Sequence, residues 1–355
     1  MNLKNLVYIG SSTLMANLVN RRTPVNVMLS VTNHCPSRCN YCRIPLRKQK
    51  ELTTEQIFSL IDQLSDLGTQ RIAFWGGEPL VRPDIGKIID YAKDKGMFTT
   101  LDSNGYLLPQ KIDELKNLDI LILSIDGQEE VHDQNREKGS HKKVIRALEI
   151  ATKRMPVWTI TVLTKNNLNE IDYLLDLAEK MGFYTTFQIL HHTSSIAGDT
   201  QSMLPSPEEY REVIKKLIEA KKNGAPIVST VKYLKHLLKW QDYAESYRVE
   251  KQKGDIPCWA GKLFCNVDTD GNVYPCVVLI EQMKALNFLD VGFKKAFDNL
   301  ASLECSACTA SCLIEFNLMF SLHLDVISNW YRYIRMSKNK NFNTANSIKY
   351  NESLS

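Results

Sequence analysis

Between residues 25 and 190 the chain alternates short apolar runs with segments whose apolar residues recur every three or four positions. The runs at 25–32, 71–75, 98–102, 120–125, 157–163 and 184–190 are apolar almost throughout, as strands covered on both faces should be. Between them the helical period takes over. Thr53, with Gln56 three residues later, opens one helix; Ile57, Leu60, Ile61 and Leu64 make its buried stripe, and Gly68 stops it. Asn167, with Glu170 three later, opens another, striped by Ile171, Leu174, Leu175 and Ala178 and ended by Gly182. Strand–helix units in such succession predict a parallel sheet with right-handed crossovers. Six of them, rather than eight, predict an open, partial (β/α)6 barrel. Ligands of such sheets bind at the carboxyl ends of the strands, which is where chemistry is to be sought.

Beyond the barrel, Pro205-Ser206-Pro207 marks a break, a charged helix follows over 208–223, and a second helix is expected over 233–249. The chain divides into an N-terminal extension (1–24), the barrel (25–192), a helical linker (193–250), a small cysteine-rich domain (251–313) and an apolar helix with a polar tail (314–355). The last dozen residues are polar and expected to be disordered. Residues 6–18 are mildly apolar and lead to Arg21 and Arg22. Residues 313–334 are apolar and aromatic but broken by Glu315, His323, Asp325 and Arg332, then trailed by Arg335, Lys338 and Lys340. Both end segments suit a membrane surface, but packing on the chain's own core is the commoner fate of such helices. No stretch reaches the length of a membrane span, and none has the form of a secretory signal. A cytoplasmic protein is expected, with peripheral contact at the inner membrane face as a further option. A net charge of +4 over 355 residues gives no basic stripe for nucleic acid.

Nine cysteines change the picture. In a reducing compartment, clustered thiols are more often metal ligands or catalytic groups than disulfides. Three fall between 35 and 42, six between 258 and 312, and none between. The first group stands in Thr32-Asn33-His34-Cys35-Pro36-Ser37-Arg38-Cys39-Asn40-Tyr41-Cys42, directly after the first strand. Three thiolates fill three irons of a [4Fe–4S] cubane and leave the fourth open to another ligand. Structural zinc competes, with His34 or a distant cysteine as fourth ligand. In the second group, Asp270-Gly271 between apolar runs predicts a hairpin that puts Cys265 and Cys276 on facing arms. There a zinc ribbon is the stronger competitor.

Cys-x3-Cys-x2-Cys after a first strand, with aromatic Tyr41 before the last cysteine, resembles the radical S-adenosylmethionine (radical SAM) superfamily. The resemblance implies a [4Fe–4S] cluster on Cys35, Cys39 and Cys42 whose open iron chelates S-adenosylmethionine. One electron then splits the sulfonium bond to give methionine and a 5′-deoxyadenosyl radical, which takes hydrogen from a substrate. Trp75-Gly76-Gly77-Glu78-Pro79 resembles the family's motif for the methionine amino group. Asn104 in Asp102-Ser103-Asn104-Gly105 would line the cofactor site, as would Ser124 after strand four. Asp126 would cap the next segment. His132-Asp133-Gln134-Asn135-Arg136 resembles a family motif in which Arg136 grips the cofactor carboxylate. Thr161 to Leu163 would underlie the adenine. His191 and His192 close strand six as weak candidates for proton transfer, at most one of them facing the cavity.

The segment from Cys258 to Cys312 resembles a SPASM/twitch domain, Gly271-x4-Cys276 matching its signature. One auxiliary [4Fe–4S] cluster follows from that resemblance, with Cys258, Cys265, Cys276 and Cys312 as ligands and with Cys305 and Cys308 in unsettled roles. An external one-electron reductant of flavodoxin or ferredoxin type is implied. The substrate is a small molecule, a lipid-like compound or a peptide. About 24 residues ahead of the barrel leave no room for a peptide-recognition domain in cis, and the apolar tail favours lipid. Residues 76–82 also look like the GTP cyclase of molybdopterin synthesis. The alternative is a non-catalytic zinc or iron–sulfur scaffold, or an electron-transfer protein.

Overall fold

A computed structural model describes residues 3–192, 194–198, 200–301 and 305–338. Six strands alternate with helices: β1 (Asn26–Thr32), β2 (Arg71–Gly76), β3 (Phe98–Ser103), β4 (Ile120–Ser124), β5 (Val157–Leu163) and β6 (Tyr184–Ile189). They pair in parallel in chain order, each strand with the next. β7 (Phe264–Val267), β8 (Asn272–Tyr274) and β9 (Leu286–Asn287) come from the cysteine-rich segment. Instead of standing apart, β7 pairs in parallel with β1, so the sheet order is β9-β8-β7-β1-β2-β3-β4-β5-β6. The predicted hairpin is thus an extension of the barrel wall.

Local chemistry fixes the helices. Thr53 and Gln56 form the reciprocal cap expected of them, and the helix Thr54–Asp66 buries Ile57, Leu60, Ile61 and Leu64. Ser206 and Glu209 do the same for Pro207–Lys222. Two expectations fail. Asn167 caps nothing: its amide donates to the carbonyls of Asp126 and Val162, tying two loops together, and a 3-10 turn leads into Ile171–Met181. The second linker helix spans only Val231–Leu238, because the Trp240 indole N–H then binds the carbonyls of Asp242 and Glu245 and folds the chain into a loop.

The apolar segment after Cys312 becomes two helices, Ser311–Phe320 and Leu324–Lys338. Residues 311–320 pack beside β6, and Phe316 and Phe320 meet Phe264 of β7, so this helix lies between the two ends of the six-stranded wall. Tyr333 and Ile334 of the next helix join Phe98, Ile120, Trp158 and Tyr184 in a second apolar cluster. These four are inward residues at the amino ends of their strands, so the helix stoppers that mouth of the barrel. The N-terminal helix Leu3–Val19 is tied on by Asn5 to Gln70 and Gly96 and by Asn17 to the Phe320 carbonyl. Among the described residues no single helix is long and apolar enough to cross a membrane. The polar tail expected to be disordered, Lys340 included, lies outside the described residues.

Candidate active site and metal centres

Cys35, Cys39 and Cys42 sit in the loop after β1, and their thiols are close enough to act on one another electrostatically. Gly76 and Gly77 explain how the loop is held. The Gly77 and Glu78 N–H groups donate to the Thr32 and His34 carbonyls at 2.7 and 2.8 Å. Gly76 has φ +137°, and a Cβ on Gly77 would lie 2.4 Å from the His34 carbonyl oxygen. Backbone packs on backbone here, which only glycine allows. From the other side Gly198 N–H donates to the Tyr41 carbonyl, Arg43 N–H to the Ile196 carbonyl, and Cys42 bridges Ala197. That clamp after β6 escaped the sequence reading. A single glycine in a polar stretch was its only signal.

Donors face the sulfurs. Asn104 Nδ2 lies 3.7 Å from Cys35 Sγ, Ser37 Oγ 3.3 Å from Cys39 Sγ, and Arg136 Nη1 4.0 Å from the same sulfur. Burial pushes Cys35 up to about 12 and Cys42 to about 11. As bare thiols they stay protonated at neutral pH, so only a bound cation makes thiolates of them. The Glu78 carboxylate is fully buried and accepts from Ser103 Oγ, Leu80 N–H and Asn104 N–H at 2.7–2.9 Å. Burial raises it to about 7. It fixes the Asn104 loop beneath Cys35.

Asp126 was expected to cap. It does not: the helix Glu129–Asn135 has Gln128 at its cap position. The buried carboxylate of Asp126 instead accepts from Tyr41 Oη (2.8 Å), Arg136 Nε (2.7 Å) and Nη2 (3.2 Å), and Val162 N–H (3.2 Å). Arg136 also lies over the Tyr41 ring. This knot spans four parts of the chain and leaves Arg136 Nη1 toward Cys39. His132 is locked beneath it, accepting from Asp126 N–H, and burial lowers it to about 3. Asp126→Asn leaves the Arg136 charge buried and uncompensated, so unfolding should cost about 3–5 kcal/mol less. A urea midpoint unmoved from wild type would refute this. As a control, Glu129→Gln, which breaks an exposed pair with Lys142, should leave the urea midpoint close to that of wild type.

β6 ends at Ile189, so His191 and His192 lie past it and strand alternation does not sort them. His191 Nε2 accepts from Gln188 Nε2 at 2.9 Å, and burial lowers its ring to about 4. His192 Nδ1 pairs with Thr200 Oγ1 at 2.6 Å. Ser124 ends β4 half-buried, beside the Asp126 knot.

The six later thiols divide differently from the expectation. Cys258, Cys276, Cys305 and Cys308 line one largely enclosed apolar cavity and act on one another electrostatically. An antiparallel ribbon of Tyr247–Arg248 with Ala307–Cys308 carries Cys308 there. Cys265 and Cys312 are elsewhere. Cys265 pairs with Val27 in register, faces outward and meets Arg22. Hairpin pairing ends at Asn266↔Tyr274, so Cys276 falls past the strand end and cannot face Cys265. Cys312 is exposed beside Asp102 and Arg71. Burial raises all four thiols of the cavity, Cys305 to about 12. Among the described residues no three His, Cys, Asp or Glu side chains close on a single ion.

Residues 29–178 match the family model of the radical SAM superfamily. The chain is 27% identical to the AdoMet-dependent heme synthase of Methanosarcina barkeri, over 78% of this chain and 82% of that one. It is 25% identical to the PqqA peptide cyclase of Granulibacter bethesdensis, over 71% and 67%. Its fold is shared with Streptococcus suis SuiB bound to S-adenosylmethionine (TM-score 0.64, 14% identity, 82% and 70% covered). It is shared equally with anSMEcpe with bound AdoMet (TM-score 0.62, 17% identity, 86% and 98% covered).

Proposed function

We propose that this chain, whose residues 29–178 match the radical SAM superfamily model, is a radical SAM enzyme that cleaves S-adenosylmethionine reductively at a [4Fe–4S] cluster held by Cys35, Cys39 and Cys42, then takes hydrogen from a substrate in the barrel. The carrying observation is the loop of three mutually interacting thiols, each set among backbone clamps, with N–H and O–H donors directed at two of the sulfurs. A bound cluster supplies the single electron that splits the sulfonium compound into methionine and the 5′-deoxyadenosyl radical. The chain's own part is to hold three thiolates at one strand end, to leave a fourth position without a thiol, and to place Asn104, Ser124, Tyr41 and Arg136 around it. Gly76 and Gly77 let the loop lie flat on β2. Glu78 serves by holding Asn104, while its second carboxylate oxygen, with one protein donor, keeps a lone pair for an ammonium group.

An auxiliary [4Fe–4S] cluster fits Cys258, Cys276, Cys305 and Cys308. Zinc, which draws four thiolates to about 2.3 Å of one centre, is the competing occupant of the same four thiols. For the substrate, two similarities point to peptides: a relative is a PqqA peptide cyclase, and SuiB is known bound to precursor peptide SuiA. The heme synthase relative keeps a small molecule in view. The lipid reading loses its support, because the apolar C-terminal helix that favoured it stoppers the barrel. A flavodoxin- or ferredoxin-type protein is the proposed reductant.

Anaerobically reconstituted protein, reduced with dithionite and given S-adenosylmethionine, should release 5′-deoxyadenosine and methionine in equal amounts, read by mass spectrometry. A brown protein that leaves the compound intact would instead be an electron carrier, and a colourless zinc protein a scaffold.

A further inference from the structure

We propose that the barrel lumen binds a carboxylate group of the substrate, with the Arg71 guanidinium as anchor and Asn26, Asn266 and Ser30 as its partners. The assignment rests on the proposed reaction only in taking the lumen as the substrate's place.

Strand alternation and register set the geometry. Val27, Leu29, Ile72, Phe74 and Leu101 point outward and are fully buried under the helices. Asn26, Ser30, Arg71, Trp75, Thr100, Asp102 and Asn266 therefore point inward. Register puts Ala73, Thr100 and Asn266 in one layer, and Trp75, Asp102 and Ser30 in the layer above, nearer the cysteine loop. The Arg71 side chain climbs from below: Nη2 donates to Thr100 Oγ1 and Nη1 to Asn26 Oδ1, each at 2.7 Å. The Phe316 ring lies 5.3 Å from its guanidinium carbon. Two of its five N–H groups are used, and among the described residues no carboxylate closes an ion pair with it.

The neighbours repeat the pattern. Asn26 and Asn266 are 3% and 0% exposed, and their Nδ2 atoms have no partner among the described residues. Their orientation is fixed, because the Asn26 Oδ1 accepts from Arg71 and the Asn266 Oδ1 from the Trp75 indole. Ser30 Oγ, in a residue 1% exposed, is also unpartnered. Buried polar groups rarely go unpaired, so this excess of donors fits an acceptor-rich ligand. A flat monoanion with two oxygens matches the guanidinium fork. Asp102, one layer up, opposes a dianion such as phosphate and can accept an N–H or O–H beside the carboxylate. Cys312 is exposed in the same space, acted on by both Asp102 and Arg71.

That thiol makes the test. Anaerobic, cluster-loaded protein is alkylated in parallel with iodoacetate and with its neutral counterpart iodoacetamide, and Cys312 labelling is followed by peptide mass spectrometry. The ratio of the two rates cancels the thiol's own ionisation. It should exceed the ratio for glutathione by about ten-fold. Arg71→Met should bring it down to that of glutathione, and Asp102→Asn should raise it further; the second substitution stands as the test if the first does not fold. Millimolar glutamate should slow labelling by iodoacetamide if the source is a small acid. The capped peptide acetyl-Ala-Glu-Ala-amide should do so if it is a peptide side chain. A wild-type ratio no higher than that of glutathione, ratios indifferent to both substitutions, or protection by neither compound overturns the proposal. No S-adenosylmethionine is used, so the cofactor reaction can fail while this result stands, and the reverse.

Discussion

Cys39→Ala protein, prepared anaerobically, should carry about four irons in place of about eight and release no detectable 5′-deoxyadenosine. The size of the loss follows from the loop. Cys39 is the sulfur with most donors around it, taking Ser37 Oγ and facing Arg136 Nη1. The described residues offer no replacement: His34 is exposed and turned to Glu51, with Nδ1 3.0 Å from that carboxylate. A two-thiol remnant would hold cluster iron poorly, and losses at surrounding groups alone run to 10–100-fold at metal sites, so removing a direct ligand should take activity below about 1% of wild type. Cys35→Ala and Cys42→Ala should match it. Retained cleavage in any of the three, measured against a no-protein control, would remove the foundation of the proposed function. Unchanged iron with lost cleavage would move the cluster to other ligands.

The second large effect concerns the later thiols. Alanine at Cys258, Cys276, Cys305 or Cys308 should remove about four irons each time, while Cys265→Ala and Cys312→Ser should keep the full complement. The four share one apolar cavity, where burial raises every thiol. Losing one leaves a cavity with three thiols, and the histidine that lines it, His236, has its Nε2 engaged with the Cys308 carbonyl at 2.9 Å. Cys265 meets Arg22 and β1, and Cys312 meets the lumen; neither reaches the cavity. Iron and acid-labile sulfide, counted per chain, decide it. A full complement in Cys305→Ala and Cys308→Ala, with loss in Cys265→Ala and Cys312→Ser, would restore the ligand set that the sequence spacing suggested.

That contrast marks where the sequence was legible. All six strands of the wall stand where apolar runs ended at a glycine, a polar turn or a capping residue, because local burial on both faces decides them. The first cysteine loop was equally plain, since its ligands are adjacent in the chain. The later thiols were not, because which ones meet depends on register. One hairpin that stops pairing at Tyr274 sends Cys276 to a cavity and leaves Cys265 on the outer face. Asp126 read as a cap for the next segment; only folding brings Tyr41 and Arg136 to it from either side. The apolar C-terminal segment declared that it would be buried but not where, and its destination, the barrel's amino-end mouth, is a matter of shape.

The helix Ser311–Phe320 has two occupied faces. Leu313, Ile314 and Asn317 line the four-thiol cavity, while Cys312 and Phe316, four residues apart, look toward Arg71. It is a party wall between two rooms. An α-helix with its side chains is about 10–12 Å thick, and that thickness alone separates the lumen from the four thiols next door. Charge leaving one room for the other has a single partition to cross, and a fault in either room is felt by the same short piece of masonry.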